Sequence, residues 1–159
     1  MDDPCKGFVL ADFYQKWKGD KAIFNFWLSS QASLHDCTIQ DLRRLESIKG
    51  YDAKNPNHVR SLLRVFIGNL KCYHHPSGEG YQYVVDKILE IAQFNPQLAH
   101  NYLAVPAFID FENLPFSQQA LMAKELERLK ENGVPAQTRH LVEKMLERYD
   151  SHLPEDQRA

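Results

Sequence analysis

Gly50-Tyr51-Asp52-Ala53-Lys54-Asn55-Pro56-Asn57-His58-Val59-Arg60-Ser61-Leu62-Leu63-Arg64-Val65-Phe66 is the stretch whose reading decides the fold. Asn55 is a strong N-cap, because its side-chain oxygen can accept from an orphan backbone N–H one turn in. Pro56 stands at the first helical position, where the missing donor does no harm. Val59, Leu62, Leu63, Phe66 and Ile67 then recur at helical spacing, so a helix with a buried face starts here. The pattern returns. Asn95-Pro96-Gln97-Leu98-Ala99-His100-Asn101-Tyr102-Leu103 repeats the cap and the proline forty residues on. Pro135 follows Pro96 by thirty-nine residues and opens Ala136-Gln137-Thr138-Arg139-His140-Leu141-Val142. The third residue past each proline is small or β-branched (Val59, Ala99, Thr138), and the sixth and seventh are apolar or aromatic. A period near forty with a helix start at each mark predicts stacked helix pairs of the HEAT/armadillo kind.

The rest of the chain is compatible with that solenoid. Phe8, Leu10, Phe13, Tyr14 and Trp17 outline a first helix, closed by Gly19. Asp20 caps a second, with Ala22, Ile23, Phe26 and Trp27 as its apolar stripe, loosened by Ser29 to Ser33. Thr38 with Asp41 forms a capping box for a third helix, whose core face is Ile39, Leu42, Leu45 and Ile48 and whose end is Gly50. The fourth runs from Pro56 to about Leu70. A fifth follows the loop Tyr73 to Gly80 and carries Val84, Val85, Ile88, Leu89 and Ala92. The sixth runs from Pro96 towards Val105-Pro106. Ser117 opens a seventh with Leu121, Met122, Leu126 and Leu129, and an eighth carries Leu141, Met145, Leu146 and Tyr149. The expected fold is all-α, a superhelix of about four antiparallel helix pairs. One domain spans 1–150 and a polar, fraying tail spans 151–159.

Composition narrows the function classes. The 159 residues suffice for one domain with a proper core, and 43% hydrophobic with 25% charged residues is ordinary for a soluble protein. A net charge of −2 lacks the concentrated basic face that nucleic acid requires. No apolar run approaches a membrane span, and Met1-Asp2-Asp3-Pro4-Cys5-Lys6 has no signal-peptide layout. The abrupt start suits an excised fragment as readily as a natural terminus. Cys5, Cys37 and Cys72 are odd in number and widely spaced, which points to free thiols in a reducing, cytoplasmic setting.

Catalytic signatures are missing: no His-Glu-x-x-His, no Cys-x-x-Cys, no Gly-rich phosphate loop and no Gly-x-Ser-x-Gly. His140 and Glu143 sit three apart on one helix, but one such pair binds no metal unaided. Cys72, His74 and His75 read as a polar turn before a weak metal cluster, and Gly78-Glu79-Gly80-Tyr81 as turn geometry and a helix start. The chain therefore carries no catalytic residues and no metal site of its own. The polar helix starts are more informative. Asn57, Arg60, Gln97, His100 and Asn101 fall in the first two turns of their helices. They form either a solvated rim or the concave binding surface of a solenoid.

At this point the chain resembles the C-terminal helical domain of the alanyl aminopeptidase (aminopeptidase N) family, zinc metallopeptidases of the gluzincin clan. The resemblance is carried by Lys21 to Gln31 with Phe26-Trp27-Leu28-Ser29-Ser30-Gln31, by Asn55-Pro56-Asn57-His58-Val59-Arg60, by Gly80-Tyr81, and by Asn95-Pro96-Gln97-Leu98-Ala99. It covers about Leu10 to Tyr149, and the Asn-Pro-Asn-x-[Val/Ile]-Arg element is its most specific part. It implies an upstream catalytic domain in the same polypeptide that holds the zinc and acts on peptides. It also implies that this domain closes over the active site and lines the substrate chamber and its access channel. The family's chamber-lining positions match Arg60 and Gln97, whereas a position that usually holds Arg is Asn101 here. Arg60, Gln97, Asn101 and Asn57 are thus the candidate substrate-channel residues. The family's zinc ligands have no counterpart in this sequence, so the chain alone is expected to be inactive. The alternative is a free-standing helical-repeat scaffold for protein partners.

Overall fold

A computed structural model describes residues 11–158 apart from 13 and 18. The expected first helix therefore lies partly outside the described residues, with Phe8, Leu10 and Phe13 among those left out. Residues 14–17 are helical, and the Tyr14 hydroxyl donates to the Lys49 carbonyl at 3.1 Å.

Helix α1 (Lys21–Ala32) begins where Asp20 accepts from the backbone N–H groups of Ala22 and Ile23. Its buried residues are Phe24, Trp27, Leu28 and Ala32, not the stripe through Ala22, Ile23 and Phe26, and Phe26 is exposed. The run Ala22 to Leu28 is apolar on more than one face, so its own periodicity could not select the side that packs. The serines after it do not loosen it, since the helix continues to Ala32. Helix α2 (Ile39–Glu46) has both bonds of the Thr38–Asp41 capping box and buries Leu42 and Leu45. It stops at Glu46, short of Gly50, and leaves Ile39 and Ile48 half-buried.

Helix α3, residues 56–68, is the organising stretch. Asn55 accepts from the Asn57 N–H at 2.9 Å, and Val59, Leu62, Leu63, Phe66 and Ile67 are buried. Its middle, Arg60–Arg64, is a π-helical turn between the α-helical pieces Pro56–Val59 and Val65–Gly68. A one-turn helix, α4 (Leu70–Tyr73), follows the break at Asn69. Helix α5 (Glu79–Ala92) starts after Gly78, whose φ of +75° lies in the left-handed region. Helix α6, residues 96–108, repeats α3. Asn95 accepts from the Leu98 N–H at 3.0 Å, and Ala99–Ala104 is again π-helical. Pro106 does not end it, and the helix runs to Phe108. The wider π turn just before it leaves room for a ring that would clash with a carbonyl in a regular helix.

Helices α7 (Phe116–Glu131) and α8 (Ala136–His152) complete the described part. Pro135 caps α8 from outside rather than opening it. Ser151 and His152 belong to α8, and the Arg158 side chain folds back to donate to the Leu153 carbonyl at 2.9 Å. The described residues contain no strand.

Three helix pairs stack: α1 on α3, α5 on α6, and α7 on α8. Helices α3, α6 and α8, each with a proline at its start or just before it, lie side by side, while α5 meets α7 in the other row. Helix α2 is not the partner of α3; eight residues long, it packs on α5. Val59, Ala99 and Thr138, one per repeat, are all fully buried at 0% exposure. His100 Nδ1 meets Thr138 Oγ1 at 3.1 Å and ties the second repeat to the third. The chain is an all-α solenoid with one continuous apolar core.

Candidate functional site

The π turns of α3 and α6 pack directly on each other. Each follows an Asn-capped, Pro-opened first turn, so both rows of side chains rise from the same level of adjacent repeats. Arg60 is exposed and places its guanidinium carbon 4.6 Å from the centroid of the Tyr102 ring. No carboxylate among the described residues pairs with it. Immediately before Tyr102, Asn101 donates through Nδ2 to Gln97 Oε1, one turn earlier, at 3.0 Å, and both residues are exposed. That bond occupies the Gln97 oxygen and one Asn101 proton. The Gln97 amide donors and the Asn101 oxygen remain available. The surface thus offers a permanent cation, amide donors and an amide acceptor, the complement of a peptide backbone or a carboxylate.

Asn57 is exposed on the first turn of α3, and its carbonyl accepts from the Arg60 N–H. Its side chain has no hydrogen bond to Arg60, Gln97 or Asn101. His100 leaves the polar row for its bond to Thr138. Tyr102 is the residue that sequence reasoning passed over. It stood in an apolar position of the repeat pattern, yet it is 37% exposed while Leu103 beside it is 0% exposed. An aromatic next to Asn101, one repeat after an arginine, was the available signal.

Beneath the rim, His58 is buried and accepts through Nδ1 from the Asp52 N–H at 2.9 Å. Its ring meets Tyr51 and Phe24 at centroid distances of 5.6 and 5.2 Å. Burial lowers its pKa from the usual imidazole value, against the opposing pull of Asp52. His58 anchors the first turn of α3, and hence the rise of Arg60.

The loop cysteine and histidines diverge. Cys72 Sγ donates to the Leu34 and His35 carbonyls, His74 Nδ1 bonds the Tyr81 hydroxyl at 2.7 Å, and His75 Nδ1 bonds Ser77 Oγ at 2.8 Å. Among the described residues no three His, Cys, Asp or Glu gather as a group that could hold a metal ion. No helix of the described residues is long and apolar enough to cross a membrane.

Residues 1–147 match the family described as "Domain of unknown function (DUF3458_C) ARM repeats". Aminopeptidase N of Haemophilus influenzae is 34% identical over 127 residues, 79% of this chain and 14% of that protein. Aminopeptidase N of Escherichia coli is 26% identical over 129 residues, 80% of this chain and 15% of that protein. The crystal structure of Legionella pneumophila aminopeptidase A in complex with aspartic acid superposes with a TM-score of 0.82 at 33% identity. That match covers 91% of this chain and 17% of the other. The chain spans only a minor part of the length of these relatives. It belongs to the DUF3458_C family of ARM-repeat domains.

Proposed function

We propose that this domain forms a wall of the substrate chamber of a zinc-dependent aminopeptidase and gates peptide access to it. The bond-breaking chemistry and its metal would belong to an upstream catalytic domain of the same polypeptide. The observation that carries the reading is the exposed Arg60, unmatched by any described carboxylate, beside the bonded Gln97–Asn101 pair. An exposed cation with no described carboxylate partner, at the junction of two repeats, suits a ligand that brings its own negative or carbonyl oxygen. Arg60 would take a peptide carbonyl or C-terminal carboxylate beyond the cleaved bond, with Gln97 donating alongside and Asn57 at the rim. The odd number and wide spacing of the cysteines support a reducing, cytoplasmic setting.

The test is the length dependence of binding in the whole enzyme. A hydrogen bond to a charged group contributes roughly 1.5–3 kcal/mol. Arg60→Ala is therefore expected to raise KM for pentaalanine about tenfold relative to KM for alanine p-nitroanilide. An unchanged ratio would remove Arg60 from the substrate path.

A further inference from the structure

We infer that Tyr102 is a positioning residue whose ring fixes where Arg60 presents its charge. The inference rests on the chamber-wall reading but adds a residue that neither the repeat pattern nor the resemblance singles out. The guanidinium carbon stands 4.6 Å from the ring centroid, well inside the reach of about 6 Å for a cation–π contact. Both partners are exposed, and no described carboxylate competes for the cation. The ring is therefore the contact that selects one arrangement from the many open to a long, flexible side chain.

Three features make this a device rather than an incidental contact. The cation–π attraction leaves the guanidinium N–H groups free to donate, whereas a carboxylate partner would consume them. The backbone on both sides is set by matching π turns, Arg60–Arg64 and Ala99–Ala104, packed against each other. The α6 turn aims Tyr102 outward while Leu103 is sealed in the core. Finally, Asn101 directs its amide to Gln97, so the residue preceding the ring does not compete for Arg60.

The experiment uses the full aminopeptidase polypeptide that carries this domain, with pentaalanine and alanine p-nitroanilide as substrates. Tyr102→Leu removes the ring face, and Tyr102→Phe keeps it. Tyr102→Leu is expected to raise the pentaalanine-to-anilide KM ratio about threefold, with kcat for pentaalanine held. Tyr102→Phe should restore the ratio. On an Arg60→Ala background, Tyr102→Leu should add nothing, because the residue acts through Arg60. A ratio that rises in Arg60→Ala but not in Tyr102→Leu overturns the positioning role and leaves the wall intact. A ratio that moves in neither overturns the wall itself. NMR of the unmutated protein gives a check that survives any folding defect of the leucine variant. The Arg60 side-chain protons should show upfield ring-current shifts, and random-coil shifts would overturn the contact.

Discussion

Gly80 shows how much a single hydrogen atom can decide. A Cβ built on it would lie 2.3 Å from the Tyr73 carbonyl oxygen, a backbone atom that cannot swing aside. Gly80→Ala must push α5 away from the preceding turn and should cost about 1–3 kcal/mol, read as a lower urea midpoint with an unchanged slope. A midpoint equal to that of the unsubstituted chain would refute the close approach. His58 and His74 carry the acid sensitivity. Burial lowers both pKa values below 6.5, against weaker opposition from Asp52 and Asp110 respectively. The unfolded chain therefore takes up these protons first. Stability should be full above about pH 6.5 and decline as the pH falls from there towards the lower folded values. Urea midpoints at pH 7.5 and 5.5 test the sign, and a rise on acidification would contradict it. Sequence could flag Gly80 only as a turn residue, because the atom it makes room for belongs to a turn whose position depends on tertiary packing. His58 was invisible for a similar reason: nothing local says that its ring faces inward onto Tyr51 and Phe24.

At the scale of elements, the caps were the most legible feature. Asn55, Asn95, Asp20 and Thr38 all accept the backbone bonds expected of them, because a cap is decided by residues within three positions. Asn95→Ala leaves the Leu98 N–H without its acceptor and should cost about 1 kcal/mol in a thermal or urea melt. No change would mean that water replaces the cap at no loss. Of the stripe expected for α1 only Trp27 is buried, because Ala22 to Leu28 is greasy on several sides. Packing on the π turn of α3 chooses Phe24, Trp27 and Leu28. The π turns themselves were not legible at all. They depend on a shifted hydrogen-bond register that no residue in Arg60–Arg64 or Ala99–Ala104 announces. One consequence was the wrong end assigned to α6 at Pro106.

Across the whole molecule, the forty-residue period was enough to give a solenoid, since it places one buried small or β-branched residue per repeat at Val59, Ala99 and Thr138. The same period put Arg60 and the Gln97–Asn101 pair on neighbouring helices, but it could not say which side chain would touch Arg60. That depended on Tyr102 turning outward, a tertiary outcome. On the proposed function, this exposed junction faces the path of a peptide. A structure of the full polypeptide carrying this domain, bound to a non-hydrolysable peptide of five residues, tests this. A guanidinium nitrogen of Arg60 is expected within about 3 Å of a peptide carbonyl or carboxylate oxygen, with the Tyr102 ring still behind it. An Arg60 on the outer surface of the full polypeptide, or paired with a carboxylate of a neighbouring domain and remote from the peptide, would refute it.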